Sequence, residues 1–312
     1  MVRPSIGRAA RAPVLLIFGA ATRDVVATDA RGWRLGGGVS YGAMAAVRLG
    51  VSVRALIGVD AEAAEAPELR ALRDAGVDLR LVELRRGPVM ENRATPDGRL
   101  QLVQQASDPL PSDALPPAWR TPDGALLAPV AGELGPAWAT VFDRRVPLAL
   151  AWQGLLRRLV PGRPLQRVPL RPHPLIERAD IALVSAEDVG PQPVPLERLL
   201  PRAGQQLFVS SAQRGGLLGQ RLDAGVRWRR VPAIAAPGSV DSTGAGDVFL
   251  ATWLSGLLAQ RSAGGSASAP LAVAAAAASL SVGGSGPLEL AGLGEVCRHL
   301  RRALPTWSGR PT

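Results

Sequence analysis

The sequence contains no lysine and very little asparagine, cysteine, histidine or aromatic residue. All 36 basic residues of the 312-residue chain are arginine, and only two histidines are present. Without lysine the chain can have neither the phosphate-binding lysine of a Walker A loop nor a Schiff-base nucleophile. The single cysteine, Cys297, excludes an internal disulfide and a multi-cysteine zinc site. Carboxylates and backbone amides must therefore supply most of any chemistry.

The formal net charge of +10 would favour a nucleic-acid partner. The arginines are scattered along the chain, however, and aromatic residues make up only 4%, which leaves few surfaces on which bases could stack. Loss of lysine together with abundant alanine, glycine, proline and arginine is typical of a G+C-rich genome. We expect no nucleic-acid partner; the alternative, an RNA-associated protein, predicts binding that weakens steeply with salt.

Long apolar runs are also missing. No run reaches the roughly 20 apolar residues that a membrane-spanning helix needs. The apolar run 14–21 follows an arginine-bearing N-terminus, but it is short and leads directly into the polar run 22–24. It therefore predicts a buried strand rather than a signal peptide. We expect a cytoplasmic protein with no membrane partner.

Apolar runs alternate with helical patterns and predict a mainly parallel sheet connected by helices. The predicted strands cover residues 14–18, 51–57, 79–84, 125–130, 181–184 and 207–210, and the first predicted helices cover 40–49 and 65–74. In such a fold the active site lies at the carboxyl ends of the strands. The Pro/Arg-rich span 144–174 predicts an irregular excursion around one short helix near 152–159.

Two further segments lie outside this alternation. Residues 89–105 contain short alternating stretches around Pro96-Asp97-Gly98, a turn signal that predicts a small β appendage beside the main sheet. The Gly/Ser-rich span 261–268 predicts a loop between two helices, the second of which covers 271–282.

The run 241–247 reads Asp-Ser-Thr-Gly-Ala-Gly-Asp and precedes a helical pattern at 248–258. Two glycines around a small residue permit a tight turn that points successive backbone N–H groups into open space. At a helix N-terminus these groups would form an anion site, strengthened by the helix dipole. Asp247 could take a proton from an attacking hydroxyl, so the pattern suits phosphoryl transfer. Taken alone, the motif equally allows an N-capped helix that follows a glycine turn.

The run 240–249 resembles the C-terminal signature of the ribokinase-like (PfkB) carbohydrate kinase family, with Ser242 where that family has threonine. Further matches to the family follow in chain order: Gly19 with Asp24, Gly36-Gly37 with Leu49-Gly50, Gly58 with Asp60, and Gly76-Val77-Asp78. The resemblance covers nearly the whole chain and is far more specific than any one motif.

This resemblance implies a three-layer α/β/α sandwich with a mostly parallel central sheet and a small β lid. A single kinase domain would span 12–308, with a lid formed by about 24–38 and 80–105, and 1–11 and 309–312 would be flexible termini. The lid would exclude water from the site when it closes.

The resemblance also implies roles for individual residues. Asp247 would be the catalytic base. The backbone amides of the three preceding residues would form the anion hole: Gly244, Ala245 and Gly246. The acceptor pocket would be lined by Asp24, Gly36, Gly37 and Tyr41. ATP would lie between the turn 210–215 and the helix 271–282, near Ser210, Gly215 and Thr243. Glu187 and Asp188 would organise Mg²⁺ through water.

Three departures from the family pattern bear on activity. Tyr41 stands where the family commonly has asparagine, and 185–188 reads Ser-Ala-Glu-Asp where the family has Asn-x-x-Glu. The nucleotide turn 210–215 has lost one glycine. None removes the base or the anion hole, so we expect activity, with altered handling of the metal.

The aromatic residue at 41 and the runs 128–134 and 152–157 resemble the myo-inositol 3-kinases and their bacterial and archaeal relatives. This resemblance favours a polyol, cyclitol or sugar as acceptor, with ATP and Mg²⁺ as cofactors. Tyr41 could instead simply pack under the lid. A nucleoside kinase and a catalytically weak, ligand-binding relative are the alternatives, and the sequence does not distinguish a monomer from a homodimer.

Overall fold

A nine-stranded sheet forms the centre of the computed structural model, which describes residues 11–95, 98–190, 195–238, 241–263, 269–284 and 286–303. The strands are β1 (Val14–Ala20), β2 (Thr22–Val25), β3 (Trp33–Gly36), β4 (Ser52–Val59), β5 (Asp78–Glu83), β6 (Val89–Thr95), β7 (Gly98–Gln105), β8 (Gly124–Leu127), β9 (Leu148–Ala151), β10 (Arg157–Arg158), β11 (Arg163–Pro164), β12 (Gln166–Arg167), β13 (Ile181–Ser185), β14 (Gln206–Ser210), β15 (Gly216–Leu222) and β16 (Gly225–Val231). The helices are α1 (Gly38–Arg48), α2 (Pro67–Asp74), α3 (Pro174–Arg178), α4 (Ala186–Val189), α5 (Ala245–Ala263), α6 (Ala269–Ser281) and α7 (Leu293–Ala303).

The strand order of the main sheet is β16-β15-β14-β13-β9-β8-β1-β4-β5. All neighbours from β14 to β5 run parallel, whereas the hairpin β15–β16 adds two antiparallel strands at one edge. Parallel strands need crossover segments, and these cover both faces of the sheet. The predicted three-layer α/β/α fold with a mostly parallel sheet is therefore confirmed.

Two apolar cores lie on opposite faces of this sheet. One is formed with α1, α2, α5, α6 and α7, which supply long runs of buried alanine, leucine and valine. The other is covered by α3 and by short 3₁₀ helices, among them Pro136–Thr140 with the buried Trp138. Trp138 stacks on Phe18 of β1 with ring centroids 4.3 Å apart. Large aromatic rings thus fill the face that has few full helices.

A smaller five-stranded sheet, in the order β11-β7-β6-β2-β3, lies beside the main one. It contains the predicted β appendage, but its composition differs from the lid expected at 24–38 and 80–105. Strand β5 belongs to the main sheet, and the two-residue strand β11 at Arg163–Pro164 pairs with β7. So short a strand leaves no recognisable alternation in the sequence. The turn expected at Pro96-Asp97 lies outside the described residues.

The span 144–174 differs most from expectation. The helix predicted near 152–159 is wrong: a 3₁₀ turn at Trp152–Leu155 is followed by the strand β10. Strand β9, in the middle of the main sheet, was not predicted at all. It reads Leu-Ala-Leu-Ala, all good helix formers, so its burial between β8 and β13 decides its conformation.

The predicted helix–loop–helix at the C-terminal side is partly visible. Helix α5 continues to Ala263, while 264–268 of the expected loop lie outside the described residues. In the described part of the chain, no helix combines the length and apolar character needed to cross a bilayer.

Candidate active site

A cavity of about 1050 Å³ opens at the carboxyl ends of the parallel strands, where the fold predicts a site. One part of its wall comes from α1 and the smaller sheet. Another part comes from α6 and the segments that follow β14 and β16. The turn 242–247, the loops after β8 and β9, the ribbon β10–β12 and the segment 183–188 also contribute to the wall. The volume is large enough for two small ligands side by side.

Two helix N-termini meet at this cavity. Gly37 and Gly244 directly precede α1 and α5 and have φ values of +88° and +80°, a left-handed conformation that favours glycine. A Cβ atom added to Gly38 would lie 2.5 Å from Oδ1 of Asp247. The absence of a side chain at Gly38 therefore makes room for the Asp247 carboxylate between the two helices.

Asp247 lies in the first turn of α5 and is 8% exposed. Its carboxylate makes no hydrogen bond or ion pair with the described residues. Burial raises the pKa of Asp247 to about 6, against the opposing charge of Arg157. A carboxylate with such a pKa is mostly ionised at neutral pH yet basic enough to accept a proton in a transition state.

The backbone amides of the predicted anion hole are not equivalent. The Ala245 N–H donates to the Ser242 carbonyl at 3.3 Å, and the Val248 N–H donates to the Gly244 carbonyl at 2.9 Å. Within the described residues, the N–H groups of Gly244 and Gly246 have no backbone acceptor. These two groups are available to an anion at the positive end of α5.

Asp241 fixes the shape of this turn. Its Oδ1 accepts the Thr243 N–H at 2.9 Å, its own N–H donates to the Val282 carbonyl at 3.1 Å, and its Oδ2 pairs with Arg34 of β3. Burial acts to raise the pKa of Asp241, but the Thr243 hydrogen bonds and the Arg34 charge outweigh it and lower that pKa. The ionised carboxylate thus connects the turn to the smaller sheet.

The predicted acceptor residues surround the start of α1. Asp24 is buried, accepts the Thr22 hydroxyl at 2.9 Å and packs on Gly36, where an added Cβ would lie 2.2 Å from Oδ2 of Asp24. The ring of Tyr41 packs on Gly244, since an added Cβ there would lie 2.3 Å from the ring. The Tyr41 hydroxyl is buried without a partner among the described residues. Burial and then the Asp24 charge raise the pKa of Tyr41.

Glu133 supports the loop on the facing side of the cavity. Its buried carboxylate accepts the N–H groups of Ala20, Val130 and Ala131 at 2.8–3.2 Å. Burial nevertheless raises the pKa of Glu133. The residue ties the end of β1 to the segment after β8, whose Val130 lines the cavity.

The predicted nucleotide residues line another part of the cavity wall. Ser210 ends β14. Gly215 has φ +80°, and an added Cβ would lie 2.1 Å from the Val231 carbonyl oxygen, so both its backbone conformation and its surroundings require glycine. Ala212, in the turn that has lost a glycine, is the non-glycine residue with positive φ among those described, at +47°. The turn keeps a glycine-like backbone with alanine in it. Small apolar residues of α6 and of 233–236 line the wall beyond it.

The predicted magnesium residues do not fit that role. The Asp188 carboxylate accepts the Ser185 hydroxyl at 2.8 Å and pairs with Arg157 at 3.3 Å and Arg167 at 3.7 Å. The exposed Glu187 also pairs with Arg167. No cluster of three or more acidic, histidine or cysteine ligands is found in the described part of the chain. A metal here would have to depend on donor phosphates for its ligands.

The cavity thus brings together every predicted site residue except Gly36, which lies just behind Asp24. Sequence reasoning assigned no role to further polar residues of the wall: Asn92, Gln101, Gln153, Arg157 and Arg167. The run 152–157 was singled out as a resemblance, but Arg157 and Arg167 become neighbours only through the pairing of β10 with β12.

The comparisons with known proteins concern the family and the fold. Residues 193–290 match the family model described as pfkB family carbohydrate kinase. A comparison with the curated proteins finds no match. The resemblance to the ribokinase-like (PfkB) carbohydrate kinase family is confirmed by the family match together with the solved structures below.

Solved structures with the same fold cover most of the chain. A pyrophosphate-dependent kinase in the ribokinase family, complexed with a pyrophosphate analog and myo-inositol, superposes with a TM-score of 0.66 at 21% identity, over 88% of this chain and 97% of that one. Ribokinase from Arabidopsis thaliana, complexed with ribose and ATP, gives 0.64 at 20% identity over 93% and 99%. The Methanocaldococcus jannaschii nucleoside kinase gives 0.64 at 16% identity over 93% and 98%.

The contact between Gly244 and Tyr41 makes a stability prediction. Gly244→Ala should destabilise the protein by about 2 kcal/mol or more, because the new methyl group meets the buried Tyr41 ring and φ is unfavourable. Gly246→Ala should cost less than about 1 kcal/mol, since its Cβ would meet only Leu183 at 3.4 Å. Urea unfolding of both variants tests this, and equal losses would contradict the packing described.

The nucleotide turn makes a second prediction. Ala212→Gly should raise the free energy of unfolding by about 0.5–1 kcal/mol, because glycine adopts φ +47° without the strain of a Cβ atom. Ala75→Gly is the control, since Ala75 is exposed at φ −73° and should lose stability. Thermal unfolding of the two variants in parallel should give shifts of opposite sign. A loss at both positions would show that Ala212 is unstrained.

Proposed function

We propose that this chain, whose fold and signature are those of the ribokinase-like (PfkB) carbohydrate kinases, transfers the terminal phosphoryl group of ATP to a hydroxyl of a small polyol, cyclitol or sugar. One observation carries the proposal. The buried Asp247 carboxylate, with a pKa of about 6, shares a cavity with the N–H groups of Gly244 and Gly246 at the N-terminus of α5, and among the described residues these two groups have no backbone acceptor.

The chemistry follows from these positions. The Gly244 and Gly246 amides, aided by the α5 dipole, would bind the phosphoryl oxygens and stabilise the charge on them during transfer. Asp247 would accept the proton of the acceptor hydroxyl as its oxygen attacks phosphorus. When bound, Mg²⁺ would neutralise charge on the donor phosphates. The protein contributes mainly positioning and electrostatic stabilisation, as is usual for phosphoryl transfer.

The polar groups beside α1 support an acceptor rich in hydroxyls. Asp24 and Tyr41 line the same cavity as Asn92 and Gln101 of the smaller sheet, and the buried Tyr41 hydroxyl has no partner among the described residues. The neighbouring structures with myo-inositol and with ribose carry acceptors of this class. The nucleoside kinase alternative is less favoured. Of Phe18, Trp33 and Tyr41, the aromatic residues that we considered for stacking on a nucleoside base, Tyr41 lines the cavity, whereas Phe18 lies in the opposite core and Trp33 is not part of the wall.

Two donors are compatible with the cavity. The slot between α6 and the segment 232–236 has walls of small apolar side chains, such as Ala275 and Ala278, which suit a flat adenine ring. The arginines 157 and 167 would suit any phosphate chain, and one neighbouring structure is of a pyrophosphate-dependent kinase. We favour ATP because its adenine ring could pack on these apolar side chains, whereas pyrophosphate has no apolar part to contact them.

The acid–base role of Asp247 is tested by Asp247→Asn. With magnesium and a panel of cyclitols, polyols and sugars, the variant should lose about a thousandfold or more in kcat, because the base is gone while the anion site remains. Asp74→Asn, an exposed change on α2, is the matched control. ATP and pyrophosphate are supplied in separate assays. Turnover that survives in Asp247→Asn would remove Asp247 from the mechanism, and ligand binding without turnover would favour the catalytically weak alternative.

The pH dependence of kcat/KM is a separate prediction. The pKa of Asp247 is about 6, so the carboxyl is protonated and inactive as a base below that pH. The rate should therefore rise about tenfold per pH unit below pH 6 and level off above it. Initial rates between pH 4.5 and 8.5, with donor and acceptor well below saturation, measure this. A rate that stays nearly constant down to pH 5, as the ordinary carboxyl pKa of 3.8 would give, would contradict the burial argument.

A further inference from the structure

Arg157 occupies an unusual position in the cavity wall. It begins β10, directly after the 3₁₀ turn Trp152–Leu155 at the carboxyl end of the central strand β9. The preceding Leu156 and the first residue of the turn, Trp152, are each 1% exposed. The turn is pressed against the segment after β8, since a Cβ on Gly154 would lie 2.0 Å from the Pro129 carbonyl oxygen. The backbone that carries Arg157 is therefore held rigidly.

The guanidinium group is held on one side only. Its Nη2 donates to Gln153 at 3.1 Å and pairs with Asp188 at 3.3 Å, while Asp188 is itself fixed by Ser185. Its Nε is buried, and within the described residues neither Nε nor Nη1 has a hydrogen-bond partner. The side chain is 18% exposed and lines the cavity that contains Asp247 and the turn 244–246. In the described part of the chain, Nη1 of this fixed cation has no partner and remains available to a ligand, whereas the buried Nε is out of a ligand's reach.

The charges around Arg157 favour an anion. Arg157 and Arg167 are directly paired across β10 and β12, so their side chains lie on the same face of this ribbon. The buried Asp188 compensates only one of the two positive charges, and the other acidic partner, Glu187, is 80% exposed on its side chain. A partly buried guanidinium with a spare donor is well suited to phosphate oxygens. The positive charge of Arg157 also acts on Asp247, where it opposes the burial that raises the pKa of that carboxyl.

We propose that Arg157 is a catalytic residue that binds the phosphoryl group during transfer, opposite the Gly244 and Gly246 amides, and supplies positive charge that Glu187 and Asp188 cannot supply by organising a metal. The inference rests on the proposed phosphoryl transfer. Asp188, Gln153 and Ser185 position the guanidinium. The bond from the terminal phosphorus to its bridging oxygen breaks and the rest of the donor leaves with that oxygen. The acceptor oxygen bonds to the phosphorus, and its proton passes to Asp247.

The test combines kinetics and binding on the full chain. Arg157→Met should lower kcat about a thousandfold, as loss of an arginine at a transferring phosphoryl group does elsewhere, with the acceptor KM changed less than about threefold. Arg157→Lys should recover little, because a point charge does not reproduce the planar group. Binding of pyrophosphate, measured by calorimetry, should weaken at least about tenfold in Arg157→Met. Arg158→Met, an exposed change one residue along, is the control and should alter neither quantity.

A merely structural role makes different predictions. If Arg157 only neutralises the buried Asp188, combining Arg157→Met with Asp188→Asn should restore kcat, and that restoration would overturn the proposal. Wild-type turnover with unaltered kcat in Arg157→Met would overturn it while leaving the kinase intact. If no acceptor is phosphorylated by the wild type, the proposed function fails, and the calorimetry still decides: pyrophosphate binding that is absent, or equal in wild type and Arg157→Met, overturns the role of Arg157.

Discussion

The close approach of the N-termini of α1 and α5 is the constraint on which the site depends. Each helix starts directly after a left-handed glycine, Gly37 or Gly244, and the missing side chains of Gly38 and Gly244 admit Asp247 and Tyr41. Both positive helix ends therefore face one cavity. They favour an anionic phosphate and also the ionised form of Asp247, which burial alone would suppress. A bound phosphate adds negative charge and pushes the Asp247 pKa upwards. In the proposed reaction the donor would thus make Asp247 a stronger base at the moment when the acceptor hydroxyl loses its proton.

Arginine is the only strongly basic residue of this chain. Its ion pairs connect the smaller sheet and the segment between β2 and β3 to the rest of the protein. Arg23 of β2 pairs with the buried Asp60, Arg31 pairs with Glu68 of α2, and Arg34 of β3 pairs with Asp241. The third pair matters most for the site, because the same Asp241 carboxylate accepts the Thr243 N–H in the anion-binding turn. Partly buried pairs of this kind exceed exposed ones in strength when their geometry is fixed. Displacement of the smaller sheet would therefore disturb the turn as well.

The parts of this structure that follow from local pattern could be predicted from the sequence. Strands such as β1 are continuous apolar runs, and the turn 241–247 has a glycine spacing with few conformational solutions. Strand β9 could not be predicted, since its four residues favour a helix and only neighbouring strands make it extended. The ion pairs of Asp188 could not be predicted from the sequence either. Its partners Arg157 and Arg167 are distant in sequence and meet it through the two-stranded ribbon.

The two altered elements of the site differ in what they preserve. The turn 210–215 keeps its backbone shape although alanine replaces a glycine, and Ala212 bears the unfavourable φ. The element 185–188 keeps its place but changes its chemistry, because Ser185 accepts the Asp188 N–H at 2.9 Å, donates to the same residue's carboxylate and closes a small ring. A carboxylate held in this ring and by two arginines has little capacity left for a hydrated metal. In the proposed reaction, phosphate charge would then be balanced largely by guanidinium groups and backbone amides, and Arg157, which Asp188 and Gln153 hold at Nη2, lines the same cavity as the turn.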